Sequence, residues 1–319
     1  MAKNIYFIGN GFDLHHLIHS RYRDYARWLC KNDIDLFIKI EDVYGKCDKD
    51  LWADFETQIG ELDVEDYSAR IYRDYRPNFG SDDFREADRY VPEMKAEEAL
   101  NDLFLRIRRS FYKWVRQLSL ANVLKKVEID IYNSFFICFN YTDTLRRLYN
   151  IPQDKICYIH GNARKGDELV LGHGKTKDQL IEPTLMPSNL TEEQQQEWID
   201  ENITDDSFHR TVGATIDAVS NQRKEVERII YHNDEAWNQM TQAQYFYIYG
   251  LSFSPIDTPY ITKALSMMDK KNLSIVVNYY NQKDIEKINE YFHQLEFPEE
   301  EITLVQLKDL LVYKHLYNH

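Results

Sequence analysis

Three short apolar runs of this 319-residue chain break off into residues that can do chemistry: Phe139-Asn140-Tyr141-Thr142, Ile159-His160-Gly161-Asn162 and Leu171-Gly172-His173-Gly174. A side-chain amide can hold a carboxamide, a sugar hydroxyl or a water in place, and an imidazole neutral near pH 7 can take a proton from one of them. Two further runs break off into glycines, at Gly9-Asn10-Gly11-Phe12-Asp13 and at Gly250-Leu251-Ser252, where a missing Cβ lets a ligand approach the backbone. Each of these residues also has an ordinary structural role. Asn140 can cap a helix starting near Asp143, His160 can be a buried histidine bonded to a carbonyl, and Asp257 can be the acid of a helix's first turn. Gly9 to Gly11 can be a tight turn, with Asp13 capping the next helix. His15 and His19 stand four apart, as metal ligands sometimes do, but no H-E-x-x-H pattern accompanies them and no metal is expected.

The elements that must position these residues are strands. Ile5-Tyr6-Phe7-Ile8 is a β-branched and aromatic run that leads into the first glycine bend. If a helix begins near Leu14, the N–H groups of Gly11 to Leu14 are free to meet an anionic group. Gly9 and Gly11 fill the first two glycine places of a G-x-G-x-x-G dinucleotide pattern, and Leu14 stands in the third. Ser134 to Phe139 is apolar without alternation, which suits a parallel strand covered on both faces. Further strands are predicted at Lys155 to Ile159, Leu169 to Leu171, Gln244 to Tyr249, Leu273 to Asn278 and Ile302 to Val305. Ligands of open α/β sheets sit beyond the carboxyl ends of the strands. Five of these strand ends would bring two glycine bends, Asn140, His160 and His173 onto one rim.

Between the strands the pattern is helical. Apolar residues three and four apart, such as Tyr22, Tyr25, Trp28 and Leu29, mark a helical insertion over about 14–133, broken near Gly45, from Arg76 to Tyr90 and at Pro92. A second insertion covers about 180–243, where Thr191 and Gln194 form a capping box for a helix through Trp198. Ser254-Pro255-Ile256-Asp257 reads as a helix start, and Asp284 to Leu295 as a helix with Ile285, Ile288 and Phe292 on one side. The expectation is one α/β domain over residues 1–319 with a largely parallel sheet and two helical insertions.

Composition narrows the function. A formal net charge of −14 opposes an electrostatic grip on nucleic acid, and the basic residues from Arg106 to Arg116 recur as a solvated helix face would. Cys30, Cys47, Cys138 and Cys157 show no zinc spacing and read as reduced thiols, with Cys138 and Cys157 as small buried hydrophobes. The apolar run before Gly9 is too short for a signal sequence, and no run reaches the roughly 18 apolar residues of a membrane span. A cytoplasmic protein without membrane contact is expected.

The motifs, taken in order, carry a resemblance. Gly9-Asn10-Gly11-Phe12-Asp13-Leu14 with Ser20 and Tyr22, Leu51-Trp52 to Glu56, Phe139-Asn140-Tyr141-Thr142, His160-Gly161, and Gly250-Leu251-Ser252 with Asp257 and Tyr260 resemble the AbiH family of bacteriophage abortive-infection proteins over nearly the whole chain. The same ordered set is similar, more distantly, to the SIR2-like domains of sirtuins and bacterial defence NADases. The resemblance implies a Rossmann-like (SIR2-like) fold, NAD as substrate, and cleavage of the nicotinamide–ribose bond in antiviral defence. It also implies that Gly9, Asn10 and Gly11, with Phe12 and Asp13, lie against the pyrophosphate, and that Asn140 and His160 occupy the catalytic places. Thr142 would stand beside the nicotinamide, where sirtuins carry an Asp, Gly250 and Ser252 would lie on the adenosine side, and Asp257 is a further candidate contact to the cofactor. A carboxylate at Asp13 departs from the sirtuin pattern, since it repels phosphate unless turned away or bridged by a cation. No four-cysteine zinc module is present, which argues against a protein deacylase. A phage-derived trigger and a homo-oligomer are the partners this implies, and a nucleotide-sensing module acting through a partner protein is the competing function.

Overall fold

A computed structural model of the chain describes residues 1–45, 51–120, 126–181, 191, 194 and 206–310. Six strands, β1 (Asn4–Ile8), β2 (Ser134–Cys138), β3 (Ile156–Tyr158), β4 (Tyr245–Tyr249), β5 (Ser274–Asn278) and β6 (Ile302–Val305), form one sheet in the order β3-β2-β1-β4-β5-β6. Every pairing is parallel, with Ile5 opposite Phe135 on one side and Phe246 on the other. This is the doubly wound, Rossmann-like arrangement, in which the chain winds outward from β1 in both directions and the order reverses between β1 and β4. The apolar runs without alternation are explained by the two cores. Ile5, Phe7, Ile137, Phe246, Ile248, Ile275 and Val277 point to one face, where Trp237, Tyr260 and Phe292 meet them. Tyr6, Ile8, Phe136, Cys138 and Tyr249 point to the other, against Phe12, Leu145 and Tyr149.

The chain divides into two compact units. The sheet belongs to the first, made of residues 1–25, 111–170 and 225–319. The second is helical and combines residues 26–110 with 171–224. Its helix Val64–Tyr75 packs on Asp206–Ser220, where Ser68 Oγ donates to Thr215 Oγ1 at 2.9 Å in the interior. The Lys224 ammonium and the Glu56 carboxylate form an ion pair there, with side-chain exposures of 3% and 13%.

Several elements differ from the reading of the sequence. The first helix is Asn10–His15, starting four residues earlier than expected, with Gly9 in the cap position and Asp13 inside the helix. Because that helix stops at His15 and Leu17 adopts φ 60°, His15 and His19 do not share a helical face. Leu169 to Leu171 is not a strand. Val170 donates its N–H to His160 O at 3.0 Å and accepts the Tyr141 hydroxyl at 2.8 Å, so its bonds go to the loops after β3 and β2. Pro92 opens the long helix Val91–Gln117 and does not break it, as suits a residue without an N–H. The helix expected from Ser254 begins at Thr258, with Pro259 in its first turn. Thr191 and Gln194 do form the reciprocal capping bonds, at 3.1 and 3.3 Å, whereas the helix expected through Trp198 and the residue Cys47 lie outside the described residues. Burial raises the Cys138 and Cys157 thiols, the latter up to about 11, in keeping with packing roles.

Candidate functional site

The carboxyl ends of β1, β2 and β3 are neighbours, so the bends after them share one rim. Asn140 follows β2 and is 6% exposed; its Nδ2 donates to Gly9 O at 3.0 Å, tying the end of β2 to the end of β1. His160 follows β3 and is 4% exposed. Its Nε2 lies 3.4 Å from the Tyr260 hydroxyl, and its ring meets the rings of Phe139 and Tyr260 edge-on at 5.6 and 5.8 Å. Gly161 turns the chain at φ 83°, and a Cβ there would lie 2.2 Å from Glu168 O, so the turn that holds His160 needs glycine.

Asp13 is a buried acid on this rim with a raised pKa. It has no exposed surface, and burial pushes its carboxyl up from 3.8 to about 6, although the nearby Thr142, Thr144 and Asn140 side chains pull it the other way. Thr142 Oγ1 donates to Asp13 Oδ2 at 2.5 Å and lies 3.1 Å from Thr144 Oγ1. Asp13 Oδ1 has no hydrogen-bond partner. Strongly shifted acids with an unmet bond cluster at functional sites, because burial without compensation is unfavourable unless a ligand supplies the missing partner.

The glycine bends are packed against each other. Gly11 donates its N–H to Gly250 O at 2.9 Å, and Phe12 donates its own to Gly9 O at 3.0 Å, so these donors expected to be free are engaged. A Cβ at Gly9 would lie 2.4 Å from Gly250 O, one at Gly11 2.7 Å from Gly250 Cα, and one at Gly250 2.1 Å from Phe12 N. Gly250 also has φ 75° and donates to Asn278 Oδ1 at 3.2 Å. The missing side chains thus admit backbone to backbone at the point where the strand order reverses.

The family described as "Bacteriophage abortive infection AbiH" matches residues 5–279. The chain belongs to the AbiH family. Comparison with curated proteins and with solved structures gave no match.

Within this AbiH chain the other expected site residues fall in different surroundings. Phe12 is fully buried in the core, 4.5 Å from the His16 ring. Asn10 is exposed, and its amide is engaged with Ser20, donating to Ser20 O at 3.2 Å and accepting Ser20 Oγ at 2.5 Å. Ser252 and Ser254 both donate to Asp257 Oδ2 at 3.0 Å, which makes Asp257 the anchor of the loop entering Thr258–Met267. His173 belongs to the helical unit and does not follow a strand of the sheet; burial lowers its pKa, and its two ring nitrogens meet Val219 O and the Lys175 N–H. Tyr260, Thr144 and Asn278 were not singled out as site residues. Tyr260 stood in the motif string that carried the resemblance, so its signal was present; nothing in the sequence marks Asn278. Among the described residues no group of three or more His, Cys, Asp or Glu side chains is arranged to hold a metal, and no helix is long and apolar enough to cross a membrane.

Proposed function

We propose that this AbiH-family chain acts in anti-phage abortive infection by hydrolysing NAD at the nicotinamide–ribose bond, on the rim formed by the ends of β1, β2 and β3. The observation that supports the reading most is that Asn140 and His160 follow adjacent parallel strands, with the Asp13 carboxylate close to Asn140. The nicotinamide ring is already cationic and leaves readily, so the protein has mainly to hold the sugar while positive charge grows at the anomeric carbon. Asn140 orients the ribose or the attacking water. His160 accepts a proton from that water or a ribose hydroxyl, a role typically worth ~10²–10⁴-fold. The 3-2-1-4-5-6 strand order and the likeness of the motif order to SIR2-like domains favour a dinucleotide over other ligands.

Incubating the purified protein with NAD and with ATP separately, and separating the products by chromatography, tests this. Nicotinamide should appear from NAD and no phosphate from ATP. Asn140→Ala and His160→Gln should reduce nicotinamide release by about 10²-fold or more, with unchanged circular dichroism. Failure of the wild type to consume NAD, both alone and in extracts of phage-infected cells, sinks the enzyme reading.

One observation favours a second function. The Asn140 amide and the Gly11 N–H are already bonded inside the protein, as suits a module that binds a nucleotide and signals through a partner protein. Nucleotide recovered intact from the purified protein, with binding but no turnover lost on Asn140→Ala, would select it.

A further inference from the structure

We propose that Asp13 contacts the ligand directly, its Oδ1 accepting a hydrogen bond from a hydroxyl of the nicotinamide-side ribose. This inference rests on the NAD reading above. Asp13 offers two carboxylate oxygens, both fully inside the protein: Oδ2 accepts the Thr142 hydroxyl at 2.5 Å, while Oδ1 accepts no hydrogen bond, although the Thr144 and Asn140 side chains lie close enough to favour the charge. An ionised carboxylate is an acceptor only, so whatever completes it must be a donor. That requirement excludes a phosphate oxygen and fits a sugar hydroxyl. The position agrees, because Asp13 stands in the first helix after β1, bonded to the loop after β2 and close to Asn140. A purely structural link between these two loops needs one acceptor for Thr142, and an Asn would provide it. The second oxygen is the part of Asp13 that such a link leaves unused.

The test compares ADP-ribose with its analogue lacking the 2- and 3-hydroxyls of the ribose that carries no adenine, measured by calorimetry on the full-length wild type and on Asp13→Asn. Asn keeps the acceptor for Thr142 and nearly the same volume but removes the second one. Wild type should bind ADP-ribose about 10-fold or more tightly than the analogue, the usual worth of a hydrogen bond to a charged group. Asp13→Asn should narrow that gap several-fold. A gap that persists unchanged in Asp13→Asn overturns the inference and leaves the NAD reading standing. Wild type that binds neither compound and consumes no NAD overturns both. Should Asp13→Asn fail to fold, the wild type alone decides, since equal affinity for the two compounds rules out any hydroxyl contact.

Discussion

Two buried groups three residues apart in sequence respond to acid in opposite directions. Asp13 has a folded pKa of about 6, above its ordinary 3.8, so the folded state holds the proton more firmly. Its contribution to stability is complete below about pH 4 and is lost as pH rises through 6. His16 behaves the other way. Its Nδ1 meets Phe12 O and its Nε2 the Tyr149 hydroxyl, both at 2.7 Å, and burial lowers its pKa to about 4. Above pH 6.5 its contribution is complete, and it is lost as pH falls toward 4, because the unfolded imidazole takes a proton the folded one refuses. Over the same window the two changes offset, so wild-type stability hides both. Asp13→Asn should uncover the histidine: relative to wild type it gains stability as pH is raised from 5 to 7.5, by about 1 kcal/mol, since about one pKa unit of the shift lies above pH 5. Urea unfolding of both proteins at the two pH values checks this, and a difference that does not change with pH refutes it.

The bends after β1 and β4 decide how the sheet's centre is built. Their glycines are legible in the sequence, and so is the strand before each, but their purpose is not. A missing Cβ serves a nearby phosphate and a nearby carbonyl equally well, and the sequence does not say which one arrives. Here it is the carbonyl, since Gly9 and Gly11 both lie against Gly250. The expected strand at Leu169 to Leu171 failed for a related reason, as three apolar residues suit a strand only where another strand offers an edge, and these lie over the His160 turn instead. Gly250→Ala should therefore be among the most disruptive single-methyl additions in the chain. It adds strain at φ 75° to a contact 2.1 Å from Phe12 N, and a loss of about 3 kcal/mol or more is expected. Gly213, whose Cβ would meet nothing within 4 Å, is the control: Gly213→Ala sits in the helix Asp206–Ser220 and should stabilise by about 0.5–1 kcal/mol. Thermal melts in which Gly250→Ala is as stable as Gly213→Ala would show that the bends tolerate a side chain.

At the scale of the whole chain, the sheet was readable because its inner strands β1 and β2 are buried on both faces and show it as unbroken apolar runs. The assembly of the helices was not. An amphipathic helix announces that it has a partner without naming it: the middle of the insertion expected over about 14–133 and most of that expected over about 180–243 fall in one unit, residues 26–110 with 171–224, and their remaining parts in the unit that holds the sheet. Among the contacts between these segments are the buried bond between Ser68 and Thr215 and the ion pair of Glu56 with Lys224. A buried pair gives little net stability when whole, but separating it leaves a charge in the interior at about 3–5 kcal/mol. Each segment alone thus keeps an apolar helix face and half of a polar contact that only the other completes. A peptide of residues 26–110 should accordingly show no cooperative thermal unfolding by circular dichroism, and adding a peptide of residues 171–224 should raise its helix content and restore a transition. Glu56→Gln in the first peptide should weaken that rescue, because Lys224 then enters the interior without its countercharge. Cooperative unfolding of residues 26–110 alone would mean that the first segment is a folding unit by itself, with the second merely laid upon it.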